Sequence, residues 1–304
     1  MNNSYKSLFI KLVVFVVIFA IVDYASGYLY KYLEDRALDH SPNAMVTHYT
    51  MKKVDSDIVI IGASEAQHSY VSQMIEDSLK MTTYNCGKDG CHIYYQEAMI
   101  NSILKRYSPK KIIWSVTPDD LSTPSQKEID GLSQLNPYYH NDEYCRELVN
   151  KKSKYEPIKM ASQSYVYNSR LLPLLYKSFG PDFRYYKGYA PISGTEPYLK
   201  RNEKVWVNDC NEEMVSRFTS ILEQCKQQNV EMILVFTPRY EYDNHDTLVQ
   251  YLKMKEIVDD LGIQLVEDLY HHEDLMHLDY FRDYAHFNDK GAVIFTNMLI
   301  ERIK

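Results

Sequence analysis

Two hydrophobic patterns divide the chain. The first is continuous: Leu8 to Val22 reads LFIKLVVFVVIFAIV, apolar apart from Lys11, and a mostly apolar, tyrosine-bearing stretch carries on to Tyr30. Its length approaches the ~20 residues that a membrane-spanning helix requires. The second pattern is a rhythm of short β-branched runs and longer helical stretches. Residues Asp57–Ile61, Thr82–Asn85, Lys111–Val116, Val230–Phe236 and Gly262–Glu267 predict strands. Helices are predicted over Ser64–Leu79, about His92–Tyr107, about Asn211–Gln228, His245–Leu261 and Asn288–Ile303. The first strand run, Ile58-Val-Ile-Ile61, lacks polar alternation, as strands buried on both faces do. Five strands alternating with helices predict an α/β chain, a three-layer sandwich around a five-stranded parallel sheet.

The apolar start bears on location. Lys6 and Lys11 sit at its amino-terminal end, which by the positive-inside bias places that end in the cytoplasm. Tyr24, Tyr28 and Tyr30 then fall at the outer interface, where amphipathic rings are favoured. Residues 1–30 are accordingly expected to be a membrane anchor. The competing reading is a cleaved signal peptide, because the unbroken run Leu12–Val22 is only eleven residues and Ala25-Ser26-Gly27 offers small residues for cleavage. The anchor is preferred because apolar character continues past that site. Either way the remainder is expected to be extracytoplasmic. Residues 31–55, polar and mixed in charge with a break at Ser41-Pro42-Asn43, read as a juxtamembrane stalk, and 56–304 as the functional domain.

Composition narrows the field. The 304 residues carry a net charge of −7, and a mean hydropathy of −0.41 excludes a polytopic membrane protein. No basic cluster stands out, so nucleic acid is not an expected partner. The five cysteines (Cys86, Cys91, Cys145, Cys210, Cys225) are odd in number and lack metal-like spacing. They read mostly as small buried apolar residues, with a Cys86–Cys91 bridge permitted in an oxidising compartment.

One segment breaks the α/β rhythm. Residues from about 120 to 208 hold about a dozen of the 28 tyrosines and several prolines. Ser164–Phe179 reads as a helix interrupted at Pro173. An insertion of this length is a lid or a partner-binding subdomain. Its rings suit carbohydrate stacking, protein contact or a small second core alike.

Ligands of open parallel sheets bind outside the carboxyl ends of the strands. The first strand delivers Gly62-Ala63-Ser64-Glu65-Ala66 there, so Ser64 is either a helix cap or a nucleophile beside the free N–H groups of a helix start. The second delivers Asn85-Cys86-Gly87-Lys88-Asp89-Gly90, whose glycines permit a sharp turn. Asp283-Tyr284-Ala285-His286 precedes the last helix; the carboxylate can orient the imidazole and leave its other nitrogen to deprotonate a hydroxyl, or both can be solvated. Arg239 and Tyr240 follow the fourth strand as candidate substrate contacts. The group His271-His272-Glu273-Asp274 with His277 lacks H-E-x-x-H spacing and reads as a solvated loop, so no metal is expected. No phosphate loop or dinucleotide fingerprint occurs, so no cofactor is expected. An α/β-hydrolase is set aside because only one strand precedes Ser64.

Together, strand–GxS–helix, N-x-G-x-x-G and D-x-x-H in this order resemble the SGNH (GDSL-type) hydrolase superfamily, over residues 57–304 outside the insertion. The likeness is closest to its membrane-anchored, exported branch acting on envelope polymers, which includes the DltD-like proteins. The resemblance implies a flavodoxin-like sheet, Ser64 as nucleophile, His286 as general base and Asp283 as its orienting partner. It implies an oxyanion hole from the N–H groups of Ser64 and Gly90, with Gly87 as turn residue and further candidate donor. Two departures stand out. The first block reads Gly-Ala-Ser, and Thr117-Pro118-Asp119-Asp120 replaces the third block's G-x-N-D, so Asp119, also a candidate substrate contact, would repel an oxyanion if ionised. The implied function is an exported serine esterase or O-acyltransferase acting on acyl groups, acetyl by default, of surface polysaccharide. Its partners would be an acylated carbohydrate or envelope polymer, the membrane and proteins of an envelope assembly. A catalytically silent scaffold or polysaccharide-binding relative is the alternative.

Overall fold

β-Branched runs with no polar position have nowhere to go but the middle of a sheet. In the computed structural model, which describes residues 3–167, 170–180, 186–242 and 245–304, Ile58–Ile61 forms β1 and is buried at all four positions. With Thr83–Asn85 (β2), Lys111–Val116 (β3), Glu231–Phe236 (β4) and Gln264–Val266 (β5) it forms one sheet of order β2-β1-β3-β4-β5, all pairs parallel. This is the flavodoxin-like order expected. The register aligns Ile60 with Asn85 and Ile113, and Val116 with Phe236, so the loops after the first four strands emerge at one edge.

The chain divides into two compact units, Asn43–Leu132 with Phe183–Lys304, and Met1–Pro42 with Ser133–Asp182. In the sheet-bearing unit, one face packs Ile58, Ile60, Ile113 and Ile233 against Tyr70, Ile75, Phe295 and Leu299. These come from Ser64–Ser69 and its following residue, Ser72–Leu79 and Asp289–Ile303. On the opposite face, Trp114 meets Phe218 at 5.1 Å and donates through Nε1 to Gln96 Oε1 at 2.7 Å. Those partners lie on Glu212–Gln227 and Ile93–Leu104, and Phe236 meets Tyr251 of Val249–Leu261. Two helical layers thus cover the sheet.

The predicted helix Ser64–Leu79 is two helices, because tertiary partners take its mid-helix backbone groups. Asn85 Nδ2 donates to the carbonyls of Ala66 (2.7 Å) and Tyr70 (3.2 Å), and Thr296 Oγ1 accepts from Val71 N at 3.1 Å. Tyr70 is extended there, with its hydroxyl 2.7 Å from Thr237 Oγ1. The helix expected from His245 begins at Val249, after a 3-10 turn over His245–Thr247. All five cysteines are free and all but Cys210 are buried, so no Cys86–Cys91 bridge forms.

In the other unit, a single helix, Asn3–His40 (α1), carries the apolar segment, and it is the one helix among the described residues long and apolar enough to cross a membrane. Its apolar residues from Leu8 to Val22 are solvent-exposed. The polar segment from 31 is helical up to His40, and the break falls at Ser41-Pro42-Asn43 as expected. Leu33, Ala37 and Leu38 are buried against the tyrosine-rich segment, which here folds into short helices: Glu143–Asn150 (α2), Glu156–Lys159 (α3), Gln163–Val166 (α4) and Leu171–Phe179 (α5). The predicted helix Ser164–Phe179 is thus two helices, one ending at Val166 and the next beginning at Leu171, upstream of Pro173; residues 168–169 lie outside the described residues. Pro173 stands in the first turn of α5, where its missing N–H has no partner to lose. The rings of the insertion serve two ends: Tyr138, Tyr139, Tyr167 and Tyr189 are buried, whereas Tyr155, Tyr176, Tyr186 and Tyr198 are exposed.

Candidate active site

The site begins at the end of β1. Gly62 has φ +152°, and a Cβ there would sit 2.7 Å from Ala66 Cβ and 2.9 Å from the Ser115 carbonyl oxygen. Only glycine lets the strand turn into the following helix this close to β3. Ala63 is the N-cap and makes no side-chain cap, so Ser64, the first helical residue, does not cap the helix. Its Oγ instead lies 2.7 Å from His286 Nε2 and 3.2 Å from Glu65 Oε2.

His286 is presented by a loop pinned at both ends. Phe281 and Phe287 form an isolated antiparallel bridge, are fully buried, and stack at 4.5 Å. Between them Asp283 Oδ1 accepts the N–H groups of Ala285 (2.8 Å) and His286 (3.0 Å), a side-chain turn that returns the imidazole to its own carboxylate. Nδ1 then lies 2.9 Å from both Asp283 oxygens. A carboxylate only accepts, so Nδ1 carries the proton and Nε2 is left to accept from Ser64.

Charges around the ring set its basicity. Burial lowers the pKa of His286, but the bond to Asp283 and the charge of Glu65 outweigh it and hold the ring above the ordinary imidazole value. Burial likewise pushes Asp283 up, and the bonds from His286 and Ala285 bring it below the usual carboxylate range. Glu65, buried, is held low against its own desolvation by Arg239 and then by His286.

Block two is tied down by hydrogen bonds. Asn85 Oδ1 accepts from Gly87 N at 2.9 Å, Lys88 N donates to Gly62 O at 3.1 Å, and Asp89 N donates to Gln67 Oε1 at 2.9 Å. A Cβ on Gly87 would sit 2.5 Å from Gln67 N, so the loop lies directly against the serine's helix. Gly87 therefore drops out as an oxyanion donor, since its N–H is already bonded. Gly90, at φ +65°, makes no backbone hydrogen bond through its N–H to any described residue.

No known family model and no curated protein matches the chain. Solved structures similar to it include a lipase/acylhydrolase from Enterococcus faecalis, at 12% identity and a TM-score of 0.39 over 81% of this chain and 94% of that one. A catalytic mutant of an acetylxylan esterase from Geobacillus stearothermophilus aligns at 12% identity and 0.41, over 81% and 93%. A GDSL-like lipase from Bacteroides thetaiotaomicron aligns at 11% identity and 0.38, over 86% and 100%.

The remaining predicted site residues are placed differently from expectation. Arg239 is not a free contact for substrate: Nη1 lies 2.7 Å from Glu65 Oε1 and Nε 2.9 Å from Glu241 Oε2, with Trp206 of the insertion behind the guanidinium at 5.5 Å. Tyr240 packs on Phe281 at 5.1 Å and donates its N–H to Tyr284 O at 2.8 Å, bracing the histidine loop. Asp120 caps the turn after β3, accepting from Thr117 N at 2.7 Å. Asp119 beside it is half-buried, and burial together with the Asp120 charge pushes its carboxyl above the usual range.

Sequence reading missed Glu65, Glu241, His68 and His92. His68 lies edge-on to His286 at 5.7 Å, 2.7 Å from Ala190 O and 2.9 Å from Asp89 Oδ1. His92, 3.4 Å from Asp120 and 3.5 Å from Glu128, is pushed up to about 9 as those carboxylates outweigh its burial. The one signal available was a Glu directly after the candidate serine; its partner lies 174 positions away. Of the five histidine-rich loop positions, His271 packs on Tyr270 at 4.5 Å and His277 on Tyr280 at 5.1 Å.

Proposed function

We propose that this chain is a serine esterase or O-acyltransferase, exported and membrane-anchored, acting on acyl groups of an envelope or surface polysaccharide. The observation that carries the reading is the continuous relay Asp283–His286–Ser64, at 2.9 and 2.7 Å. The silent-scaffold alternative predicts no need for such contact. In the proposed reaction Ser64 Oγ transfers its proton to His286 Nε2 and attacks the acyl carbon. The N–H groups of Ser64 and Gly90 receive the developing oxyanion. Collapse expels the sugar alkoxide, which takes the proton from His286. Water or a second sugar hydroxyl then gives its proton to His286 and takes the acyl group, and the departing Ser64 Oγ recovers that proton from His286. Substrate class follows from location and from the motif resemblance.

Retention of the anchor has its own support. A signal peptidase needs an extended peptide, yet α1 runs unbroken through Ala25-Ser26-Gly27. Ser26 Oγ lies 3.2 Å from Ser164 Oγ, and a Cβ on Gly27 would sit 2.9 Å from Gln163 Cγ. With Lys6 and Lys11 inside, the chain beyond α1 is extracytoplasmic.

The test is release of p-nitrophenol from its acetate ester by the full-length protein in detergent, beside Ser64→Ala. Loss of turnover, with loss of fluorophosphonate labelling, is expected in the variant. Equal rates in the two proteins would sink the assignment.

A further inference from the structure

We propose that Lys154, Tyr155 and Ile158 seat on the outer bilayer surface beside the exit point of α1, with Lys154 against anionic lipid headgroups. This rests on α1 being a retained anchor. No charge occurs between Lys11 and Asp23, so Asp23 marks where the helix leaves hydrocarbon. The same carboxylate caps α4: it accepts from Ser162 Oγ (2.8 Å), Gln163 N (2.8 Å) and Ser164 N (2.9 Å). Residues 162–164 are therefore held at headgroup depth. The short helix α3 is tied to that level in turn, because the Tyr165 hydroxyl donates to Glu156 Oε2 at 3.2 Å.

What α3 and the residue before it turn outward does not suit water. Ile158 is 76% exposed and Tyr155 53%, with Lys154 Nζ 5.1 Å above the Tyr155 ring. An exposed aliphatic, a ring with a polar tip and a long-stemmed lysine beside it are the residue types that settle at a lipid interface. Charge agrees: residues 133–182 carry seven Lys and Arg against five Asp and Glu, in a chain whose net charge is −7. Helix α1 would then cross the bilayer while α3 rests on it, two attachments that stop its unit from pivoting about the anchor.

The experiment uses full-length protein in vesicles, in a Cys210→Ser background where the other four cysteines are buried. An environment-sensitive fluorophore is placed by Ile158→Cys or, separately, Phe15→Cys. The vesicles are phosphatidylcholine with or without phosphatidylglycerol and carry nitroxide lipids, shallow or deep. The label at 158 should be quenched by the shallow nitroxide in phosphatidylglycerol vesicles. Lys154→Gln should lower the ratio of seated to lifted protein there roughly fivefold, the effect of one lysine near an anionic surface. If the label at 15 is quenched by the deep nitroxide while that at 158 stays in water in both vesicle types, seating is overturned and the anchor stands; the patch would then suit a protein partner. If the label at 15 escapes the deep nitroxide, the anchor reading itself fails and the seating proposal with it.

Discussion

Arg239 Nη1 lies 2.7 Å from Glu65 Oε1, and the other oxygen of that carboxylate lies 3.2 Å from Ser64 Oγ. The serine hydroxyl thus has two acceptors, His286 Nε2 and Glu65 Oε2. Arg239 lowers the basicity of the Glu65 carboxylate, so the imidazole is the stronger base of the two. When His286 is protonated it can donate to Ser64 Oγ while the hydroxyl turns to Glu65, and the Glu65 charge stabilises that imidazolium.

Glu65→Gln should therefore shift the pH profile of ester hydrolysis. Only the neutral ring accepts a proton, so activity falls below the His286 pKa, which is held above the ordinary imidazole value. Removing a charge that raises this pKa moves the acidic limb to lower pH. Measuring kcat/KM against pH decides it; a limb that stays put or moves upward contradicts this role for Glu65.

Arg239→Met should destabilise the fold by about 3–5 kcal/mol, because it leaves Glu65 and Glu241 as uncompensated buried charges. The double change Glu65→Gln with Arg239→Met should recover part of that loss in chemical denaturation. A single variant as stable as the native protein would show the pair to be unimportant.

Asp283→Asn keeps the shape of the histidine loop but lets the amide favour the wrong imidazole tautomer. Turnover of p-nitrophenyl acetate should fall on the order of 10³–10⁴-fold with little change in melting temperature. A small effect would mean that His286 does not work through Nε2.

Asp119→Asn tests the departure in the third block. If the Asp119 side chain faces the oxyanion, an amide donor there should raise kcat by up to about 10²-fold above the carboxyl's pKa and change little below it. The rate ratio of variant to native protein across pH is the readout. A ratio below one at every pH would make the carboxyl itself a requirement.

Much of the domain was legible along the chain because buried parallel strands are written locally. Ile58–Ile61 and Lys111–Val116 announce themselves without reference to anything distant, and the loops after them are where a parallel sheet places ligands. The pairing of Asp283 with His286 is equally local, since a side-chain turn of four residues closes it. The break at Tyr70 was not legible, because the groups that impose it, Asn85 and Thr296, belong to other elements. Nor was the course of the insertion, whose residues 133–182 join α1 rather than the sheet.

The sequence by itself determined the α/β class, the apolar amino-terminal helix and the three short blocks that carry Ser64, Gly90 and His286. Tertiary structure alone decided that Ser64 meets His286 across 222 positions, that Gly87 has no N–H to offer, and that Arg239 serves Glu65 rather than standing free. The physical reason is reach. Hydrophobic periodicity and turn chemistry act over a few residues, whereas a buried charge is satisfied by whichever opposite charge the fold brings beside it.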